Sequence, residues 1–350
     1  MMLELGQVLQ AQVAAALEAM GEELTETTDS GLTKVDKEVL MPLADLDRAW
    51  ERIEARTPNP LADAVLHAKR AGKWQTSYVD AFLNLRDSDN RLHASIGGLQ
   101  ARTARMSISR PPLQQLPSGD WKVRRAIVAD PGQLIIAADY AQVEMRVLAA
   151  LSGDEAMTAA ILGGLDIHNA VATGMFGPDF TKAQRKLAKT TGFGEVYGGG
   201  AVTLARQSGV TVEVAKEAKR LFADGFPGIK RYGKRLQARA QYGKKEVVTV
   251  SGRHLPLDRD RLYAATNYVV QSTSRDLLAQ AIVDLFDAGL GDHLLLPIHD
   301  EILAQAPAAE APEVVAEIGR IMGSNFYGIP ILSDTEVYGP TWGHGYGATA

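Results

Sequence analysis

The sequence predicts an α+β fold in which helices dominate and a small buried sheet carries carboxylates at its strand ends. Three observations lead there. QLIIAAD, Gln133 to Asp139, is a short continuous apolar run that ends on an aspartate, the pattern of a buried strand. HLLLPIHDEILAQA, His293 to Ala306, is two apolar runs hinged at His299-Asp300, the pattern of a hairpin. Residues 165–241 and 263–290 lack strand patterning, and the first stretch is broken by glycine and proline, so both read as helical.

In chain order, residues 1–24 read as an amphipathic helix. Glu4 comes early and a basic start is lacking, so this is not a secretory signal. TETTDSGLTK, residues 25–34, is a polar loop, and Lys37 to Arg56 reads as a moderately periodic helix. Pro58 and Pro60 mark entry into a helix that runs to about Leu85. Arg91 to Ser95 resembles a short strand, and SRPPLQQLPSGD a proline-rich crossing loop. After the strand ending at Asp139, the residues Val143, Val147, Leu148 and Leu151 share one helix face. KKEVVTVSGRHLPL reads as a hairpin turning at Ser251-Gly252, followed by a long helix from Tyr263 to Leu290. Beyond the second hairpin come a helix from Pro312 to Asn325 and a short strand near Glu336.

Composition narrows the function classes. Of the 350 residues, 46% are hydrophobic, which supports a sizeable core and excludes a disordered chain. No apolar run reaches the roughly 18 residues of a membrane span. The absence of cysteine excludes disulfides and cysteine-ligated zinc, and it suits a reducing, cytoplasmic compartment. The net charge of −5 does not itself point to a polyanionic partner. Cations nevertheless cluster at Arg102, Arg105 and Arg110, at Arg124 and Arg125, at Arg185, Lys186 and Lys189, and from Lys216 to Lys245. Any one cluster also reads as a solvated helix face. There is no G-x4-G-K-[ST] phosphate loop, and GHGYG near the C-terminus lacks the strand–turn–helix setting of a dinucleotide fingerprint.

Three constellations carry chemistry. The first is DYAQVEMR, Asp139 to Arg146. A carboxylate at the end of a buried strand is costly unless paired or metal-bound, although Asp139 alone also reads as a helix N-cap. The second is RKLAKTTGFGEVYGGG, Arg185 to Gly200. Here Arg185, Lys189, Phe193 and Tyr197 recur every four residues, one drifting stripe on a helix with cations first and rings last. Cations suit phosphates and rings suit a base or sugar; the bland reading is basic residues snorkelling over an aromatic core face. Gly192 and Gly194 each cost about 1 kcal/mol against alanine in a helix, a cost consistent with leaving space for a ligand. The third is PIHDEI, with His299, Asp300 and Glu301 at a hairpin tip; it is not a zinc signature.

Taken in order, these pieces resemble the family A DNA polymerases, the bacterial DNA polymerase I type and its phage relatives. DYAQVE resembles motif A (DYSQIE), RKLAKTTGFGEVYG resembles motif B (R-x3-K-x3-F-x3-YG), and IHDE resembles motif C (VHDE). TARMSISRPPLQQLP upstream resembles TGRLSS…PNLQNIP, and DIH at Asp166 to His168 and FPG at Phe226 to Gly228 also fit. The match covers roughly residues 90–345, with a weaker match before that.

The resemblance implies a right-hand fold with an antiparallel-sheet palm, helical fingers and a short helical thumb. Residues 1–100 would be a reduced thumb, 101–155 and 256–350 the palm, and 156–255 the fingers. It implies addition of dNTPs to a primer 3′-hydroxyl by two-metal phosphoryl transfer, with two Mg2+, or Mn2+ as a substitute. Asp139, Asp300 and the Tyr140 carbonyl match metal ligands, and Glu301 an acidic neighbour. Arg185 and Lys189 match triphosphate binders, with Lys189 a candidate proton donor and His168 an assistant. Phe193, Tyr197 and Gln142 fall in the nucleotide pocket. Glu144 matches the residue that excludes ribonucleotides, and phenylalanine at 193 implies discrimination against dideoxynucleotides. Arg105, Asn267 and Gln271 match minor-groove contacts to primer–template DNA, and His299 a position near the primer end. No proofreading or 5′-nuclease domain is expected, so a separate exonuclease or a processivity factor would be a further partner. A compact core suggests a phage origin, hence the host cytoplasm. The chain departs from the family at Ala104, Thr190-Thr191-Gly192, Glu195 and Tyr263, which bears on substrate grip more than on the chemistry. A single-subunit RNA polymerase shares the logic, but Glu144 and Phe193 favour deoxynucleotides; a non-catalytic relative should have lost a metal aspartate.

Overall fold

Side-chain caps set the starts of two helices of the first unit in this computed structural model, which describes residues 2–47, 50–117 and 121–349. Residues 1–92 and 93–350 form two compact units. The first contains α1 (Met2–Ala19), α2 (Lys37–Leu43), α3 (Pro60–Trp74) and, after a π-helical turn, α4 (Asp80–Leu85). Asp36 caps α2 and Asn59 caps α3, each through its side-chain oxygen. Leu17, Leu40, Ala44, Ala62 and Leu66 form its core.

The helix expected from Lys37 to Arg56 stops at Leu43. Asp45 is the reason. It takes a left-handed φ of 55°, and its buried carboxylate accepts the amides of Glu54 and Ala55 at 2.9 Å. The chain must turn back to deliver those amides, which a continued helix could not. Residues 48 and 49 of that expected helix lie outside the described residues. The strand expected at Arg91–Ser95 is likewise displaced. Leu92 makes only an isolated bridge to Arg86, and the strand is β1 (Ser95–Gly97) in the second unit.

β1 pairs antiparallel with β2 (Ser107–Ser109). The proline-rich crossing holds a 3-10 turn at Leu113–Gln115 before α5 (Trp121–Arg124), and its residues 118–120 lie outside the described residues. β3 (Gln133–Tyr140) leads into α6 (Val143–Ser152). Six helices follow: α7 (Glu155–Leu162), α8 (Ile167–Phe176), α9 (Lys182–Val196), α10 (Ala201–Ser208), α11 (Val212–Gly225) and α12 (Pro227–Tyr242). The expected hairpin is β4 (Glu246–Val248) with β5 (His254–Pro256). The long helix is α13 (Ala265–Asp287), entered through a 3-10 turn at Leu262–Ala264. β6 (Leu294–Ile298) and β7 (Glu301–Pro307) form the second hairpin. The next helix, α14 (Ala311–Met322), ends before Gly323 rather than at Asn325, because Ser324–Phe326 is a strand, β8, paired with β9 (Ile329–Ile331). β10 (Ser333–Gly339) and a 3-10 turn at Trp342–Tyr346 complete the unit.

The main sheet is antiparallel in the order β10-β3-β7-β6. Strand alternation sorts its two faces. Ile136, Ala138 and Tyr140 join Ile302, Ala304 and Ala306 in the main core, shared with α13 and α14. Asp139 therefore belongs to the opposite face. No helix among the described residues is long and apolar enough to cross a membrane.

Candidate active site

Register places the acids. Asp139 on β3 lies directly opposite Glu301 on β7 and Asp334 on β10. Directly opposed residues share a face, so three carboxylates stand in a row across three adjacent strands. Asp300 occupies the turn between β6 and β7 beside His299, whose φ is 57°. The Asp300 carbonyl accepts the Tyr140 amide at 3.2 Å, which ties the turn to the end of β3. The Tyr140 side chain points into the core, where its hydroxyl donates to the Leu277 carbonyl at 3.4 Å.

Burial, then the charges of Asp300, Glu301 and Asp334, push the Asp139 carboxyl up to about 7. Protein crowds the carboxyl on one side while the residue as a whole stays solvent-exposed, so water screens part of this repulsion. Burial also raises Asp300 and Glu301. Arg105 opposes the shift at Asp300, and the Tyr338 hydroxyl, 3.2 Å from the Glu301 carboxylate, opposes it at Glu301. Among the described residues no three histidine or carboxylate side chains close into a metal cage. The donors are hard carboxylate oxygens under mutual repulsion. That set would suit Mg2+, whose charge would relieve the repulsion.

The four-residue stripe lies on one helix. Thr181 and Gln184 form a capping box at the start of α9, and Tyr197 stands at its C-cap. Arg185 donates to Asp166 at 2.9 Å and to Asn169. Asp166 also caps α8 through the Asn169 amide at 2.8 Å and receives Gln142 Nε2 at 3.4 Å. Lys189 is exposed and has no ion pair among the described residues. His168, buried on α8, sets its ring 5.6 Å from that of Phe193. Burial, then the charge of Lys189, holds its pKa below the ordinary histidine value, which favours the neutral ring.

A buried polar network joins α9 to the sheet. Glu144, on α6, accepts the Tyr197 hydroxyl at 2.9 Å and pairs with Arg105. Gln271, buried on α13, lies close enough to the same carboxylate to favour its charged form. Asn267, one turn earlier, is also buried, and its Nδ2 has no partner among the described residues. A cavity of about 330 Å³ is lined by Arg105, Gln142, Glu144, Phe193, His299 and Asp300, among others. A neighbouring one of about 1010 Å³ is lined by Lys186, Lys189, Phe193, Tyr197 and Tyr263. Asn267 and Gln271 line neither.

The glycines of the stripe divide. A Cβ on Gly192 would meet Met145, Phe222 and Val171 at 3.7–3.8 Å, so Gly192 faces the core and leaves no ligand space, contrary to the expectation. Gly194 does open onto the larger cavity, with nothing near its missing Cβ. Three further residues escaped the sequence reading. Asp334 joins the acid row, Tyr338 holds Glu301, and Lys219 bonds both Glu195 and the Gly199 carbonyl at the end of α9. The one signal for Asp334 was the alternation of acids in SDTEVYG.

The family model for DNA polymerase family A matches residues 4–344. This chain belongs to DNA polymerase family A. It is 45% identical to a DNA polymerase of Mycobacterium phage D29 over 339 residues, 96% of this chain and 54% of that protein. It is 41% identical to that of Mycobacterium phage L5, covering 96% of this chain and 53% of the relative. The chain thus spans about half the length of these phage relatives. Among solved structures it is similar to the POL domain of Pol1 from M. smegmatis in complex with DNA primer-template and dNTP. The TM-score is 0.76 at 28% identity, covering 92% of this chain and 58% of that one. The α+β fold of the family A polymerase domain is therefore the fold of this chain.

Proposed function

We propose that this chain is a template-directed DNA polymerase that extends a primer 3′-hydroxyl with dNTPs. One observation carries the reading: a single cavity of about 330 Å³ is shared by Asp300 and His299 of the hairpin turn, Arg105 and Glu144 of the buried network, and Phe193 and Tyr197 of α9. A carboxylate, a sugar-sized polar wall and aromatic rings are what a nucleotide needs around its reacting end. The similar M. smegmatis domain, solved with primer-template and dNTP, supports the same reading.

In this proposal Asp139, Asp300 and the Tyr140 carbonyl would hold two Mg2+, whose charge would supply activation of the 3′-hydroxyl and stabilisation of the leaving pyrophosphate. Mn2+ would serve the same donors. Glu301 tunes the charge of the row. Arg185 and Lys189 grip the triphosphate, and Lys189, as the untethered cation, gives a proton to the leaving group. His168 supports Phe193 and adds a donor. Phe193 and Tyr197 pack on the base and sugar, and Glu144, fixed by Arg105 and Tyr197, occupies the space a 2′-hydroxyl would need. Gln142 links this pocket to Asp166. Arg105, Asn267 and Gln271 contact the minor groove, where correct pairs present similarly placed acceptors, and His299 lies by the primer end. Residues 1–100 act as thumb, 101–155 and 256–350 as palm, and 156–255 as fingers. A separate exonuclease or processivity factor and a host-cytoplasmic location belong to the same proposal.

The test is extension of a labelled primer–template with Mg2+ and dNTPs, run beside Asp300→Ala. Templated extension by the wild type, abolished in the variant, is expected. A folded wild type that binds DNA and does not extend it would overturn the reading.

A further inference from the structure

α12 differs from its neighbours in charge. Between Phe226 and Lys245 the sequence has seven cations and no carboxylate, in a chain of net charge −5. Five of them, Lys230, Arg231, Lys234, Arg235 and Arg239, lie within α12 and are all exposed. The opposite face, Ile229, Tyr232, Leu236 and Ala240, is buried in the core. The cations form two adjacent rows at four-residue spacing, so like charges repel along each row and disfavour the helix. Elsewhere some helix cations are paired. On α11, Arg220 is paired with Glu217 and Asp224 at 2.6 Å, and on α14 Arg320 is paired with Glu317 at 2.6 Å. None of the five α12 cations has an ion pair among the described residues.

Two further features bear on that face. Tyr242 closes the helix with 85% of its surface exposed, a large ring without a core to fill. The helix itself is held rigidly. The Gly228 amide donates to the buried Asp154 carboxylate at 2.7 Å, and Gly233 comes so near α13 that a Cβ would lie 3.2 Å from Thr266 Oγ1. From Lys230 to Tyr242 the row spans about 18 Å at 1.5 Å per residue. A fixed row of unneutralised cations ending in a free ring fits a strand of phosphates whose bases are unpaired and able to stack.

We propose that the exposed face of α12 is a track for single-stranded DNA, with phosphates on Lys230, Arg231, Lys234, Arg235 and Arg239 and a base on the Tyr242 ring. The choice of DNA rests on the polymerase reading; the preference for a single strand rests on Tyr242. None of these residues lines the proposed active-site cavities.

The test is fluorescence anisotropy of a labelled single-stranded oligonucleotide and of its duplex, titrated with the full chain from about 50 to 200 mM salt, a range over which phosphate contacts declare themselves. The variants are the quadruple Lys230→Gln, Lys234→Gln, Arg235→Gln, Arg239→Gln and the single Tyr242→Ala. The quadruple should flatten the salt slope for the single strand by roughly 0.7 per lost phosphate contact, close to 3 in all. Tyr242→Ala should weaken the single strand about tenfold and leave the duplex unchanged. A salt slope equal to the wild type, with the variant's thermal unfolding unchanged, overturns the track. Equal losses for strand and duplex from Tyr242→Ala overturn its single-strand specificity. Extension of a primer on a template with a one-nucleotide overhang should stay at the wild-type rate in the quadruple at saturating DNA. If the wild type itself fails to extend, the polymerase reading falls, while the salt slopes still decide the track.

Discussion

Glu144→Ala removes the residue on which two elements of the pocket converge. Glu144 is 6% exposed; its partner Arg105 keeps 27% of its side chain in water, and Tyr197 is 42% exposed. Deleting the carboxylate leaves a half-buried guanidinium without its counter-charge and a hydroxyl without its acceptor. Breaking a fully buried pair costs about 3–5 kcal/mol. Water still reaches Arg105, so that contribution falls to roughly 1–2 kcal/mol, and the exposed end of the Tyr197 hydrogen bond adds about 1 kcal/mol. The loss should be about 2–3 kcal/mol in urea denaturation. Glu144→Gln keeps an acceptor for Tyr197 and should lose about half as much. A double-mutant cycle with Tyr197→Phe should show coupling of about 1 kcal/mol. If Glu144 is the proposed wall beside the sugar, the same alanine variant should admit ribonucleotides in primer extension, with Tyr197 released from its acceptor. Additive single effects together with unchanged sugar selectivity would refute both the network and the steric role.

Lys189→Ala should lower the single-turnover rate at least a hundredfold, within the range of a lost general acid, and a near-normal rate would remove its phosphate role. Phe193→Tyr should ease incorporation of dideoxynucleotides relative to dNTPs in competition assays; an unchanged ratio would mean a pocket built differently. Lys219→Met frees the end of α9 from Glu195 and Gly199 and should raise the KM for dNTPs more than it lowers kcat, whereas equal effects would deny it a positioning role. Asp139 binds its proton more tightly folded than unfolded, with a pKa raised from 3.8 to about 7, so folding takes up a proton between those values and stability falls as pH rises across them. In EDTA, Asp139→Asn should therefore gain stability over the wild type from about pH 4 to 7 and show no pH-dependent gain below it, and Mg2+ should stabilise the wild type alone; a difference that is flat with pH would refute the repulsion.

The acid row shows what a sequence can reveal and what it hides. Asp139 ends an apolar run and Asp300 tips a hairpin, so both are legible from local pattern. Asp334 is not. It sits on β10, a largely unburied strand with no apolar alternation, and only the pairing of β10 with β3 sets it against Asp139. Register is a long-range fact that no local window contains. The helix that failed after Leu43 did so for a similar reason, since Asp45 serves amides nine to eleven residues ahead of it. The stripe on α9 was readable because helix spacing is local. The inward face of Gly192 was not, because it depends on α6, α8 and α11 closing around it.

The tether on Arg185 follows from the same long-range logic and bears on how the proposed site would be loaded. Asp166 caps α8, and the oxygen that does so also accepts from Arg185. Both side chains keep more than a third of their surface in water, 41% and 35% exposed, so the pair is worth no more than about 1 kcal/mol. That is enough to hold the guanidinium beside α8 and too little to resist a competing anion. A triphosphate, with several charges and bidentate geometry, outbids a single exposed carboxylate for an arginine. In the proposed site Asp166 would thus act as a stand-in anion that keeps Arg185 aimed at low cost. Lys189, one turn along, has no such partner among the described residues, and in the proposed site it would meet the phosphates with its charge unspent.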